Sequence, residues 1–162
     1  EICKKRASLL NLNVDFRTAD VQAISFENGK FDIVTCVGSL SYLDNDTFLN
    51  EVHRVLKQGG VFLCLDSFNH NPIYKFNRFI HYLRGNRSYS TLTRMPNLKT
   101  IQLFEKKFNN VKVSYFGIFI FIAPMLKFFI SPDKINLILN KLDHFFSKIN
   151  RYAFKVVIQA TK

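Results

Sequence analysis

Three places in the chain put reactive or hydrogen-bonding side chains directly after an apolar, strand-like run. They are Asp20 after Val14–Thr18, Val37-Gly38-Ser39 after Phe31–Val37, and Asp66-Ser67-Phe68-Asn69-His70 after Val61–Leu65. Open α/β sheets bind ligands beyond the carboxyl ends of their strands, so chemistry is expected at these positions. An acid there accepts a ligand N–H, a glycine turn lets backbone approach a ligand, and a histidine can take up a proton. His70 follows its strand directly and is the candidate catalytic base or substrate contact, with loop capping as its alternative role. Asn69, Tyr74 and Arg78 stand on the same side and are expected to touch substrate. His53 falls on the polar side of an amphipathic pattern, and His81 and His144 lie inside helical ones, so none of these is a candidate. No metal is expected, because Cys3, Cys36 and Cys64 are too widely spaced for a CxxC or zinc-type motif. Cys36 and Cys64 sit in apolar runs and read as buried, reduced thiols.

Strands alternating with helices must position these groups. Ile2–Leu12 reads as the end of a helix, Val14–Thr18 as a short strand, and Phe31–Val37 as a strand buried on both faces. The spacing of Phe48, Leu49, Val52, Val55 and Leu56 predicts a helix over Thr47–Lys57, capped by Asp46 and ended by Gly59-Gly60. Val61–Leu65 is the next strand. Helices are expected over Pro72–Arg84 and from about Pro96 to Lys107, with a strand over Val111–Phe116. Ser131-Pro132-Asp133 opens a further helix with Ile135, Ile138, Leu142, Phe145, Phe146 and Ile149 on one face. Tyr152–Ala160 closes the chain as a strand. This order predicts one α/β domain over 1–162, with helices on both faces of a mostly parallel sheet.

The 36 residues Phe31–Asp66, FDIVTCVGSLSYLDNDTFLNEVHRVLKQGGVFLCLD, resemble the fourth-strand to fifth-strand segment of class I S-adenosylmethionine-dependent methyltransferases of the type 11, UbiE-like kind. That family shows an FDxV strand, a Leu-(His/Tyr)-(His/Tyr)-Leu turn, a helix ending RVLKPGG and an apolar strand. Here Arg54-Val55-Leu56-Lys57-Gln58-Gly59-Gly60 carries Gln58 in place of the proline. The resemblance implies a Rossmann-like sheet with an antiparallel last strand at its edge, and S-adenosyl-L-methionine as cofactor. It implies that Asp20 receives the adenine amino group and that Val21 offers its amide to the ring. It places Cys36, Val37, Gly38 and Ser39 under the methionine part, with Tyr42 facing the same cleft. The family's GxGxG loop and its ribose-binding acid have no counterpart in the sequence, so the resemblance implies a domain lacking the first two strands, as an N-terminally truncated fragment would. Such a piece is expected to bind the cofactor poorly, to be inactive alone, and to be prone to aggregation, unless Val14–Thr18 pairs with Phe31–Val37.

The net charge of +11 is concentrated in the second half. Residues 71–131 hold ten Lys/Arg against the single acid Glu105, whereas residues 1–70 hold seven basic and nine acidic residues. Anionic partners are therefore favoured. Residues 116–126, FGIFIFIAPML, are too few to span a bilayer, which takes about 20. They are expected to pack on the sheet, with an apolar lid or interfacial patch for a lipid-linked acceptor as the second reading. No signal-peptide pattern opens the chain, so the expected location is cytoplasmic, with peripheral membrane attachment as an option. The function expected is methyl transfer to a small molecule that is glycan-, quinone- or lipid-linked. The rivals are a non-catalytic basic module for nucleic acid or anionic membrane, and a Rossmann-type oxidoreductase. Oligomeric state is not legible.

Overall fold

The computed structural model describes residues 1–162. Helix α1 (Ile2–Leu9) leaves through Asn11, whose φ of 51° suits a short polar side chain. Of its residues only Ala7 is buried. Residues 12–30 form no strand, which corrects the expectation for Val14–Thr18. A strand needs a neighbour for its backbone groups, and the sheet offers this segment none.

Strand β1 (Phe31–Val37) leads through a 3-10 turn (Leu40–Tyr42) into α2 (Asn45–Val55). Asp44, not Asp46, is the cap, accepting from the Thr47 amide at 3.3 Å and from the Thr47 hydroxyl. Helix α2 stops before the double glycine because Leu56 is already extended, and β2 (Leu56–Ser67) starts there. The β1–β2 register jumps from Phe31↔Leu56 to Ile33↔Val61, so residues 57–60 loop out opposite Asp32. Gly59 turns that loop with φ +76°. Gly60 passes so near the other strand that a Cβ would lie 2.9 Å from the Lys57 carbonyl and 3.2 Å from that of Asp32. The Lys57 ammonium grips the Asp32 carboxylate at 2.8 Å and holds that acid below the usual carboxylate range.

Helix α3 (Pro72–Leu83) is capped by Asn71 and followed by a short α4 (Tyr89–Thr93) that the sequence did not announce. Helix α5 (Leu98–Lys107) opens on a capping box of Asn97 and Thr100. Strand β3 (Asn110–Phe116), a 3-10 turn (Ile120–Ile122), α6 (Ala123–Leu126), α7 (Pro132–Phe145), a second 3-10 segment (Ser147–Tyr152) and β4 (Lys155–Thr161) complete the chain. The Ser131 hydroxyl makes no capping bond, and α7 buries Ile135 and Leu139 rather than the whole expected stripe.

The sheet order is β1-β2-β4-β3, with β1 parallel to β2 and β4 antiparallel to both β2 and β3. Three strands thus run one way and the last runs against them, as expected. The last strand lies inside the sheet, however, and β3 takes the edge. The core fills one side only. Phe48, Leu49 and Val52 of α2 and Ile101 and Phe104 of α5 close over Phe62, Cys64, Val156, Ile158 and Ala160. Phe62 stacks on Phe104 at 5.6 Å and meets the edge of Phe48 at 5.9 Å. The other face is bare, with Ile33 61% and Val37 69% exposed, so neither the helices expected there nor the double-sided burial of β1 is present. The accessible surface of 11174 Å² compares with about 8,300 Å² for a compact monomer of this mass.

Candidate functional site

The carboxyl ends of β1 and β2 are joined by one buried side chain. Asp66 accepts the Leu40 amide at 2.9 Å and the Ser67 amide at 2.7 Å, fixing the turn that leaves β1 to the end of β2. Gly38, at φ +67°, donates its amide to the Leu65 carbonyl at 2.9 Å. A Cβ there would meet nothing within 4 Å, so the glycine opens onto free space and is required by its φ rather than by crowding.

The loop before β1 is drawn to the same place. Asp20 Oδ1 accepts the Gln22 amide at 2.9 Å, and Gln22 Oε1 accepts the Asp44 amide at 2.7 Å. Asp20 Oδ2 and the Val21 amide have no partner in the chain. Both residues line a cleft of about 530 Å³ with Arg17, Phe26, Lys30 and Phe31. The clamp that holds this loop is Arg54, whose guanidinium donates to the Ile24 and Phe26 carbonyls at 2.7 Å and to Asn28 Oδ1 at 2.8 Å. Glu51 pairs with Arg54 at 2.8 Å and accepts the Ile24 amide at 3.0 Å. Sequence reasoning missed this pair, although its i,i+3 spacing just before Val55-Leu56-Lys57 was there to read. Arg54→Ala is expected to leave the core intact and to speed hydrogen exchange of the Ile24 and Phe26 amides about tenfold or more. Unchanged exchange there would remove the clamp.

The other predicted residues divide. The Val37 and Tyr42 side chains are exposed and Ser39 is half-buried, its hydroxyl 3.3 Å from the Val37 carbonyl. The half-buried Cys36 side chain packs against the core, in register with Cys64. The neighbouring Cys36 thiol, together with burial, pushes the Cys64 thiol up and keeps it protonated.

Asn69, His70, Tyr74 and Arg78 gather beyond the end of β2. His70 Nε2 accepts the Leu98 amide at 3.1 Å at the start of α5, and its ring lies 4.9 Å from that of Phe68. That nitrogen is therefore engaged as a cap, and the base role expected of His70 is not offered by it. Tyr74 is buried, its hydroxyl 3.5 Å from the Gly117 carbonyl and its pKa pushed up to about 12 by burial. Asn69 Oδ1 is taken by Arg78 Nη1 at 3.0 Å, which also reaches the Phe68 carbonyl at 3.2 Å. Arg78 is 5% exposed, and its Nη2 has no partner. Burial lowers it to about 10, so it remains charged at neutral pH. No three His, Cys, Asp or Glu side chains converge as a metal site.

His53 is half-buried against Phe108 at 5.5 Å rather than lying free on the surface. Burial, followed by nearby lysine or arginine charge, holds both His53 and His70 below the ordinary 6.5. The unfolded chain then binds more protons than the folded one in the interval below 6.5. Stability is full above that pH and declines as pH falls through it. Urea midpoints at about pH 7.5 and 5.5 should show this drop. His70→Gln, which can still accept the Leu98 amide, should shrink the drop without loss at the higher pH. An unchanged difference would exclude His70 as a contributor.

Sheet order, the parallel β1–β2 pair and the antiparallel β4 are those of a Rossmann-like fold, which class I methyltransferases share. Residues 1–64 match the family profile described as "Methyltransferase domain". Demethylmenaquinone methyltransferase of Lactococcus lactis is 31% identical over 120 residues, covering 64% of this chain and 48% of that protein. The sterol 4-C-methyltransferase of Caenorhabditis elegans is 35% identical over 83 residues, covering 51% of this chain and 24% of its own. The chain thus spans about half the length of the first relative and about a quarter of the second. The YcgJ protein of Bacillus subtilis superposes with a TM-score of 0.57 at 20% identity, over 99% of this chain and 76% of that one.

Proposed function

We propose that the chain is the acceptor-side part of an S-adenosylmethionine-dependent methyltransferase acting on a quinone-type small molecule. The observation that carries this reading is the pair of unpaired groups, Asp20 Oδ2 and the Val21 amide, beside the cleft before β1. An acceptor beside a donor is what the exocyclic amine and ring nitrogen of adenine need. The open space over Gly38 leaves room for the remainder of the cofactor at the end of β1. Residues 1–162 contain no GxGxG loop, so only this side of the cofactor finds partners in them.

Bound there, the cofactor supplies an electrophilic methyl group on a sulfonium. The chain's own work is to orient the acceptor and exclude water. We assign the first to Arg78. Its guanidinium is held by Phe68 and Asn69 through one nitrogen, and the second, buried and without a partner, would donate to an acceptor oxygen that reaches it. A ring oxygen of a quinol, which carries negative charge once deprotonated and so makes the ring nucleophilic, suits that donor. The acceptor assignment draws on the demethylmenaquinone relative. The sterol relative supports the coarser statement of an apolar ring, and the glycan reading finds no support.

Calorimetry with S-adenosylhomocysteine and with NADH tests the assignment. S-adenosylhomocysteine should bind weakly, Asp20→Ala should reduce that affinity about tenfold, and NADH should not bind. Equal affinity of Asp20→Ala would remove the adenine site. Preference for NADH would replace the methyltransferase reading with the oxidoreductase one.

A further inference from the structure

The eleven residues Phe116–Leu126 carry no polar side chain, yet most of them stay out of the core. No residue of the Ile120–Ile122 turn or of α6 is buried. Just beyond, Phe128 is 85% exposed, Phe129 84% and Met125 70%. Helix α3, joined to this segment through Tyr74 and Phe121 at 6.5 Å, is inside out. It buries Tyr74 and Arg78 and turns Ile73, Phe76, Phe79 and Leu83 outward. Lys75, Arg84 and Lys127, next in sequence to Phe76, Leu83 and Phe128, are exposed as well.

We propose that this surface docks the protein on an anionic lipid bilayer. Apolar area of this extent marks an interaction site. Its charge selects the partner. Across residues 71–131 the only acid is Glu105, against ten Lys/Arg, so a second copy would bring like charges together while acidic headgroups would be attracted. No helix is long and apolar enough to cross a membrane. The seat is therefore interfacial, with Met125, Phe128 and Phe129 inserted at headgroup depth and the lysines at the phosphates. This surface does not rest on the methyl-transfer reading. A chain that transfers nothing would still dock.

The chain has no tryptophan, so Phe128→Trp provides a single reporter. Its emission should shift to the blue with vesicles of phosphatidylcholine containing about one-third phosphatidylglycerol, and far less with phosphatidylcholine alone. Co-sedimentation should fall about tenfold or more in a Phe128→Asn/Phe129→Asn double variant and about fivefold in Lys127→Glu. Ile33→Lys, on the bare sheet face, should leave it unchanged. Circular dichroism verifies that each variant is folded, which these exposed positions permit. Equal binding to both kinds of vesicle, full binding by the double variant, or loss of binding in Ile33→Lys would overturn the proposal. A parent that ignores vesicles but is dimeric by sedimentation velocity, with a monomeric double variant, would assign the surface to a second copy instead.

Discussion

Phe62→Ala is expected to cost about 4 kcal/mol, which for a domain of ordinary marginal stability removes most of the folded population at physiological temperature. Phe62 is fully buried and touches Phe48 from α2, Phe104 from α5 and Phe108 beyond it. Truncation removes the transfer free energy of the ring and opens a cavity that the remaining aromatic side chains cannot all move to fill. Because the core has only one side, no second layer shares the loss. Urea unfolding of the variant provides the measurement. A loss below about 2 kcal/mol would mean that the cluster repacks and that the core lies elsewhere.

Asp66→Asn should cost about 3 kcal/mol, although it changes neither shape nor volume. The two carboxylate oxygens of Asp66 accept two amides, Leu40 and Ser67. An amide side chain can present only one oxygen, so its NH2 group is forced against the other backbone N–H in a buried place. The Gly38-Ser39-Leu40 turn should then loosen. Hydrogen exchange at Leu40 should accelerate far more than at Leu49, which lies in α2 and does not depend on Asp66. A variant within about 0.5 kcal/mol of the parent would show that Asp66 is not what ties the two strand ends.

Much of this fold is legible in the sequence because apolar runs and their spacing survive any later packing. Phe31–Val37 and Val61–Leu65 lie side by side in the same direction, and helices start near Pro72, Pro96 and Pro132, where the prolines mark them. Failures occur where a segment needed a partner. Val14–Thr18 alternates as a strand does but has nothing to pair with, and Arg54 recruits the loop beyond it instead. Gly59-Gly60 carries the signature of a helix end, but its glycines serve a strand-entry loop whose necessity comes from the distant Asp32 carbonyl. The site divides for the same reason. Which strand ends meet is set by topology, whereas the engagement of His70 by Leu98 depends on side-chain directions that no linear pattern displays.

The one-sided sheet also sets how the molecule responds to denaturant. Only 30 of 162 residues are buried, so unfolding newly exposes little surface for a chain of this length. The slope of free energy against urea, which scales with that area, should therefore be shallow, with a correspondingly small heat-capacity increment on melting. A partner laid across Ile33, Val37 and Leu63 would steepen both, so the transition's breadth reports directly whether that side of the strands is covered.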